Sequence, residues 1–345
     1  MKKKLFFVAA AALALVSCNN DVTISENTAL VGSNAQKEIA LSSFAQRPKR
    51  AAVDGTTFPT GSAMQVTAFD ADSARDFFDA TEFTYDAGTI WKGGKYWPLS
   101  PATINFLAYA NFEGTSATWG TTHKASGVTL VMTDNKSAQQ DLLYACGTGT
   151  VSQSGNTLSF PANVPMKFKH AQAWISFKAD AYDATSGGKV TLDSIVLNGA
   201  KYSGTYTVTH HNYDQTKAQR DVDATKNGSV DGLWSAWGGA QNVKVPNWTP
   251  AAIAYDASGD GVDVGDGLLV VPDNDPATAD FTSFTIAYKL DGKAYKFTYT
   301  PATAAAQNVD QAKHYIYKIN FHLHEILISA SVDDWTPSPV DVPIY

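Results

Sequence analysis

"FTIAYKLDGKAYKFTY", residues 284 to 299, is the stretch on which the fold turns. Phe284, Ile286, Tyr288 and Leu290 fall at every second position, the period of a strand with one covered face. Asp291-Gly292 then separates this run from a second one, and an Asp-Gly pair between alternating runs is the strongest short-range signal of a β-hairpin. The same period governs "YIYKINFHLH", residues 315 to 324. Tyr315, Tyr317, Ile319, Phe321 and Leu323 line one face, while Ile316, Lys318, Asn320, His322 and His324 line the other. Apolar faces of this kind need a second sheet to cover them.

Working outward, short runs rich in Val, Ile, Thr, Phe and Tyr alternate with turn residues from Val53 onward. One series comprises Met64–Phe69, Glu82–Tyr85, Trp91 with Tyr96–Pro98, Ile104–Ala110 and Val128–Met132. A second comprises Met166–Phe168, Ala173–Phe177, Thr191–Leu197, Gly204–Thr209, Leu268–Val271, Phe284–Leu290, Ala294–Tyr299, Tyr315–Leu323 and Ile326–Val332. That number of strands predicts an all-β protein of two sandwiches in tandem. Helical periodicity is weak, and only Ser73–Phe78 and Ala302–Lys313 allow a short helix. Prolines in "FPANVP", residues 160 to 165, place a boundary between the two series. The expected organisation is a signal segment over 1–17, a leader over 18–50, a first sandwich over 51–163 and a second over 164–345. The polar stretches 214–232 and 254–267 read as insertions at sandwich edges.

The first residues have a separate logic. Lys2, Lys3 and Lys4 precede an apolar run from Leu5 to Val16, the layout of a secretory signal and too short to span a bilayer. Leu15-Val16-Ser17-Cys18 has the shape of a bacterial lipobox, so Cys18 is the expected lipidation site and lipid the expected anchor. The chain has two cysteines. With Cys18 acylated, Cys146 has no disulfide partner and reads as a small core residue. The leader carries two alternating pieces, Val22-Thr23-Ile24 and Ile39-Ala40-Leu41, which could pair as an edge strand but not fold alone. A basic knot ends it. Arg47 is followed by Pro48, whose ring hinders a protease, whereas Arg50-Ala51 is an unobstructed bond.

Charge and motifs exclude several chemistries. A net charge of −7 with 26 basic residues in 345 offers no positive stripe, so nucleic acid is not an expected partner. No glycine-rich phosphate loop and no nucleophile elbow occurs, and no pair of carboxylates is set apart as acid and base. Neither enzymatic activity nor a cofactor is expected. "DASGDGVDVGDG", residues 256 to 267, resembles a calcium loop at its first six positions but ends on Gly267 where a bidentate Glu is required. It reads as an acidic turn, with Asp256, Asp260 and Asp263 the ligands if an ion binds. Adjacent His210 and His211 point to opposite faces of a strand; His322 and His324 share a face but lack a third ligand. His170 reads as a packed histidine with one ring nitrogen satisfied. Trp119, Trp234, Trp237 and Trp248 stand in polar surroundings, where they either fill the ends of a sandwich or stack on sugars. A surface glycan-binding lipoprotein, using Trp234 and Trp237, is therefore the alternative reading.

"IWKGGKYWPLSPATINFLAYA" at 90–110, "DLLYA" at 141–145 leading to "MKFKHAQAWISFKA" at 166–179, "LLVVPDN" at 268–274 and "YIYKINFHLHEILISASVDDW" at 315–335 together resemble the fimbrillin-like lipoproteins, subunits of type V pili of Bacteroidota. The resemblance implies two transthyretin-like β-sandwiches, export as a lipoprotein to the outer membrane and a role in a surface fimbria that supports adhesion to host or bacterial ligands. It also implies that an Arg-specific surface protease cuts near the start, at Arg50 or Arg47, leaving Ala51 as the new terminus after Arg50. Loss of the lipid and first strand then opens a groove that a neighbouring subunit fills. At the other end Val340, Val342 and Ile344 alternate as a donor strand would, although Pro337, Pro339 and Pro343 lack amide donors.

Overall fold

Residues 283–299 form the expected hairpin, with Asp291 and Gly292 both at positive φ, 49° and 81°. Those angles belong to the two-residue turn whose twist matches the flanking strands, which is why Asp-Gly serves there. The computed structural model describes residues 36–44, 60–71, 76–86, 90–110, 115–119, 128–132, 141–181, 189–208, 233–235, 237–246, 248–273, 278–303, 307–321 and 326–334. The described residues are all-β, as the alternation predicts.

The first half contributes β1 (Glu38–Phe44), β2 (Ala63–Asp70), β3 (Asp76–Asp86), β4 (Ile90–Tyr96), β5 (Ala102–Ala110), β6 (Thr115–Trp119), β7 (Val128–Met132), β8 (Leu143–Ser154), β9 (Thr157–Ser159), β10 (Val164–Lys167) and β11 (Lys169–His170). Most of these lie in one sheet of order β10-β1-β4-β3-β2-β5-β8-β11, with β9 added to β8. Phe168 alone separates β10 from β11, so the two ends of that path are joined by the chain itself. The sheet closes around a core of Ile39, Leu41, Val66, Phe83, Trp91, Trp97, Phe106, Val164 and Met166. β10 begins at Val164, where the boundary was expected, and β10 and β11 pair with β1 and β8 of the first half.

The second half contributes β12 (Ala173–Ala181), β13 (Val190–Ala200), β14 (Gly204–Val208), β15 (Leu233–Ser235), β16 (Gln241–Lys244), β17 (Ala251–Ala252), β18 (Val262–Asp263), β19 (Leu268–Val270), β20 (Ser283–Leu290), β21 (Lys293–Tyr299), β22 (Lys313–Phe321) and β23 (Ile326–Asp334). One sheet runs β18-β12-β22-β23 with β19 also on β12; the other runs β16-β13-β20-β21 with β17 also on β13. Ile175, Phe177, Tyr315, Tyr317, Ile319 and Phe321 from the first meet Leu192, Ile195, Leu197, Phe284 and Ile286 from the second in one core. Phe284 packs edge-on against Tyr317 at 4.6 Å between centroids. The inward stripe read from 315–321 is thus the buried one; Leu323, His322 and His324 lie outside the described residues.

A third arrangement joins the halves. β6 and β7 pair with β14 and β15 in a four-stranded sheet of order β15-β14-β7-β6. Near it a further cluster holds Phe69, Tyr109, Tyr144, Cys146, Tyr206, Trp234 and Val271. Cys146 is fully buried there, a small core residue as expected.

Two expectations need correction. The described part of Ser73–Phe78 is the start of β3, because Phe78 stacks on Phe83 at 5.8 Å and faces Phe106, contacts that an extended backbone supplies. The described part of Ala302–Lys313 is turns leading into β22 and contains no α-helix. Tyr315 stabilises that irregular approach by accepting a hydrogen bond from Asp310 N at 2.8 Å.

Candidate functional site: the slot that holds the leader strand

β1 lies within residues 18–50, the segment expected to be a leader, and it stands inside the wall of the first sandwich rather than at an edge. On one side it pairs antiparallel with β4, Leu41 opposite Trp91 and Ser42 opposite Ile90. On the other it pairs parallel with β10, Leu41 opposite Val164 and Ser43 opposite Met166. Lys37 O extends the β4 side by accepting from Trp97 N at 3.0 Å. The edge strand allowed from the sequence is therefore an interior one. Two-sided pairing satisfies its backbone groups in both directions, which an isolated seven-residue strand could not do.

Alternation sets what each side chain does. Ile39, Leu41 and Ser43 face inward, while Ala40 and Ser42 are half-buried on the other face. Ile39 and Leu41 are both 0% exposed and Ser43 is 5% exposed. Burying two such aliphatic side chains contributes about 3–6 kcal/mol before ordering costs. The indole N–H of Trp91 donates to Ser43 Oγ at 2.7 Å, a buried bond between leader and slot. The Trp91 ring is held between Tyr85, 5.0 Å away, and Phe168, 6.4 Å away.

Glycines in β8 let β10 approach. A Cβ on Gly147 would lie 2.6 Å from Met166 Sδ, and one on Gly149 would lie 2.4 Å from Trp97 Cη2 and 2.9 Å from Val164 Cγ2. The Met166 and Val164 side chains of β10 therefore pack closely over β8, while the backbone of β10 pairs with β1. Sequence reasoning passed over β8 because these glycines break its strand pattern; a Gly-x-Gly between Cys146 and Val151 was the available signal. Ser43 and Trp91 carry no signal of their own as site residues, because only the fold brings the two, 48 positions apart, into contact.

Arg47 and Arg50 follow Phe44 by three and six residues. They lie outside the described residues, as do Ala51, Cys18, Val340, Val342 and Ile344. His210 and His211 lie outside them too.

The alternative site does not assemble. Trp234 is buried at 3% exposure, its N–H donates to Ala171 O, and its ring lies 4.9 Å from Tyr206. It fills the junction between the halves within a buried cluster, and at 3% exposure its ring is closed to a sugar. Trp237 is partly buried, with its N–H donating to Pro272 O at 3.2 Å and Lys201 Nζ 5.2 Å from its ring centre. Trp248 likewise packs on the second core and donates to Leu192 O at 3.3 Å.

In the acidic loop, Asp256 accepts from Ser258 Oγ at 2.7 Å, Ser258 N at 3.0 Å and Gly261 N at 3.0 Å. These donors, the Ser258 hydroxyl first, hold its carboxyl below the ordinary range. The carboxylate thus closes its own turn. Asp260 is exposed, and Asp263 sits in β18 opposite Lys178. Among the described residues no group of three or more His, Cys, Asp and Glu side chains is placed to hold a metal ion.

Two buried polar groups brace the frame. His170 Nδ1 lies 2.9 Å from both carboxylate oxygens of Asp141, and Gln172 Oε1 accepts from Leu142 N at 2.9 Å. One ring nitrogen of His170 is satisfied, as the sequence reading expected. Asp273 and Asp280 share Lys201, whose ammonium contacts Asp273 and lies 3.8 Å from Asp280. Burial pushes the Asp280 carboxyl up to about 6 despite bonds from Val309 N and Asp273 N.

In overall fold the chain is similar to a candidate cell adhesion protein of Bacteroides uniformis ATCC 8492, with a TM-score of 0.53 and 15% identity over 87% of this chain and 99% of that one. It is similarly close to one from Bacteroides ovatus ATCC 8483, with a TM-score of 0.50 and 12% identity over 88% of this chain and 100% of that one. These likenesses concern the fold. No curated relative matches the sequence. A family model described as fimbrillin-like matches residues 50–335, which takes in nearly all of both sandwiches, and the chain belongs to the fimbrillin-like family.

Proposed function

We propose that this fimbrial protein is a surface-fimbria subunit exported as a lipoprotein through Cys18, cut after Arg50 by an Arg-specific protease, and assembled when a neighbouring subunit supplies the strand that β1 vacates. Family membership supports the fimbrial role and a structural rather than enzymatic one. The finer reading rests on one observation: β1 is a buried, doubly paired strand six residues short of Arg50. Cutting there separates β1 from the sandwich that it completes. Its departure would expose the edges of β4 and β10 and the sites of Ile39 and Leu41, a surface prone to pair with any available strand. Strand addition repeated head to tail builds an open filament. The alternating Val340, Val342 and Ile344 are the proposed donor segment for a next subunit, and the finished fibre supports adhesion to host or bacterial surfaces.

The test treats the full chain with an Arg-specific protease and follows N-terminal sequence and SDS-resistant ladders. The expected result is a new terminus at Ala51 with ladders appearing, and neither in an Arg50→Ala, Arg47→Ala double variant. Complete cleavage that leaves monomers still holding residues 38–44 would refute the proposal.

A further inference from the structure

The slot has three inward sites, and they are chemically unequal. Ile39 and Leu41 occupy apolar sites, whereas Ser43 accepts the Trp91 indole N–H at 2.7 Å. We infer that this third site selects a neutral hydrogen-bond acceptor, so that the strand replacing β1 carries two apolar side chains followed at the next alternate position by Ser, Thr or Asn. The inference rests on the exchange reading proposed above and specifies the partner that the slot takes.

The argument is one of burial and immobility. Trp91 is 0% exposed and its ring is confined by Tyr85 and Phe168, so the indole cannot turn its N–H toward water. A strand with an aliphatic side chain at the third site would fill the volume and remove this acceptor, and a buried donor deprived of its acceptor incurs its full desolvation cost. A carboxylate could accept the bond, but it would bring an uncompensated charge among apolar groups. Simple alternation of apolar residues is therefore insufficient for this slot, so Val340, Val342 and Ile344 suit a neighbouring subunit whose third site is apolar rather than a slot identical to this one. Discrimination comes from the polar end, as it does wherever a site must reject a ligand that is merely hydrophobic.

Threonine and valine have nearly the same shape and differ by a hydroxyl for a methyl, so together they isolate the acceptor. Fluorescein-labelled peptides of residues 36–45, "QKEIALSSFA", are offered to the full chain after Arg-specific cleavage, with the parent sequence, Ser43→Thr and Ser43→Val compared by anisotropy. The Ser and Thr peptides are expected to bind comparably and the Val peptide roughly tenfold to a hundredfold more weakly. Equal binding of the Val and Thr peptides overturns the inference. If no peptide enters, the strand is not exchangeable and the proposed assembly fails. The acceptor requirement is then decided in the uncut chain, where Ser43→Val should unfold at lower urea than Ser43→Thr. Valine is at least as good a strand former as threonine, so a midpoint for Val equal to or above that for Thr overturns the inference independently of exchange.

Discussion

Truncating Leu41 to Ala asks how firmly the leader is built into the sandwich. Leu41 is 0% exposed, opposite Trp91 on one side and Val164 on the other. The substitution removes three carbon groups worth about 0.8 kcal/mol each, or roughly 2.4 kcal/mol of transfer free energy. The large ring of Trp91 and the close-packed β10 limit collapse into the void, which brings the expected cost to about 3–4 kcal/mol. Leu99, 49% exposed, provides a control whose truncation should cost no more than about 0.5 kcal/mol. Urea unfolding of the uncut chain measures both, with an unchanged slope showing that the same surface is exposed on unfolding. In the cleaved protein the same 3–4 kcal/mol corresponds to leader release faster by a factor of a hundred or more. A Leu41→Ala midpoint shift no larger than that of Leu99→Ala would mean that β1 contributes little to the fold, and the reasoning about the slot would be wrong.

Other expectations concern the frame around it. Gly149→Ala should destabilise by about 1–3 kcal/mol, because the new methyl meets Trp97 and Val164, while Gly239→Ala, with open space around it, should be near neutral in the same unfolding assay. Trp234→Ala should cost about 3–5 kcal/mol by emptying the junction core, and a variant as stable as wild type would show the ring to be dispensable there. Asp280 gives a pH dependence of defined sign. Its carboxyl is raised from 3.8 to about 6 in the fold, so its contribution is fully present below pH 4 and is lost as pH rises through 6. Relative to Asp280→Asn, the wild-type chain should therefore lose up to roughly 3 kcal/mol between pH 4 and 7, and a difference that stays flat across that range would contradict the buried, desolvated carboxyl.

The parts of the site differ in how readily they could be read. The Ile39-Ala40-Leu41 alternation announced a strand, yet nothing within the leader indicates pairing on both sides, since that requires β4 and β10 to leave a gap one strand wide. Ser43 looked like any polar leader residue until Trp91 was brought against it. Gly147 and Gly149 hid β8, because a residue without Cβ weakens the strand pattern at the very point where Trp97, Val164 and Met166 need the space. Trp234 shows the converse: its polar neighbours in sequence left open whether it fills the end of a sandwich or stacks on a sugar, and packing against Tyr206 and Ala171 buried it.

By itself the sequence determined most of the strands, their inward faces and the Asp291-Gly292 turn, because alternation and turn chemistry act over a few residues and need no distant partner. Beyond that hairpin, tertiary structure alone decided which remote strands pair. It set Trp174 beside His314 in the parallel β12–β22 ladder, joined β7 to β14 across the two halves, and placed β1 between β4 and β10. Backbone amides and carbonyls pair equally well with any extended neighbour, so partners are chosen by side chains that become buried together only once remote segments have met.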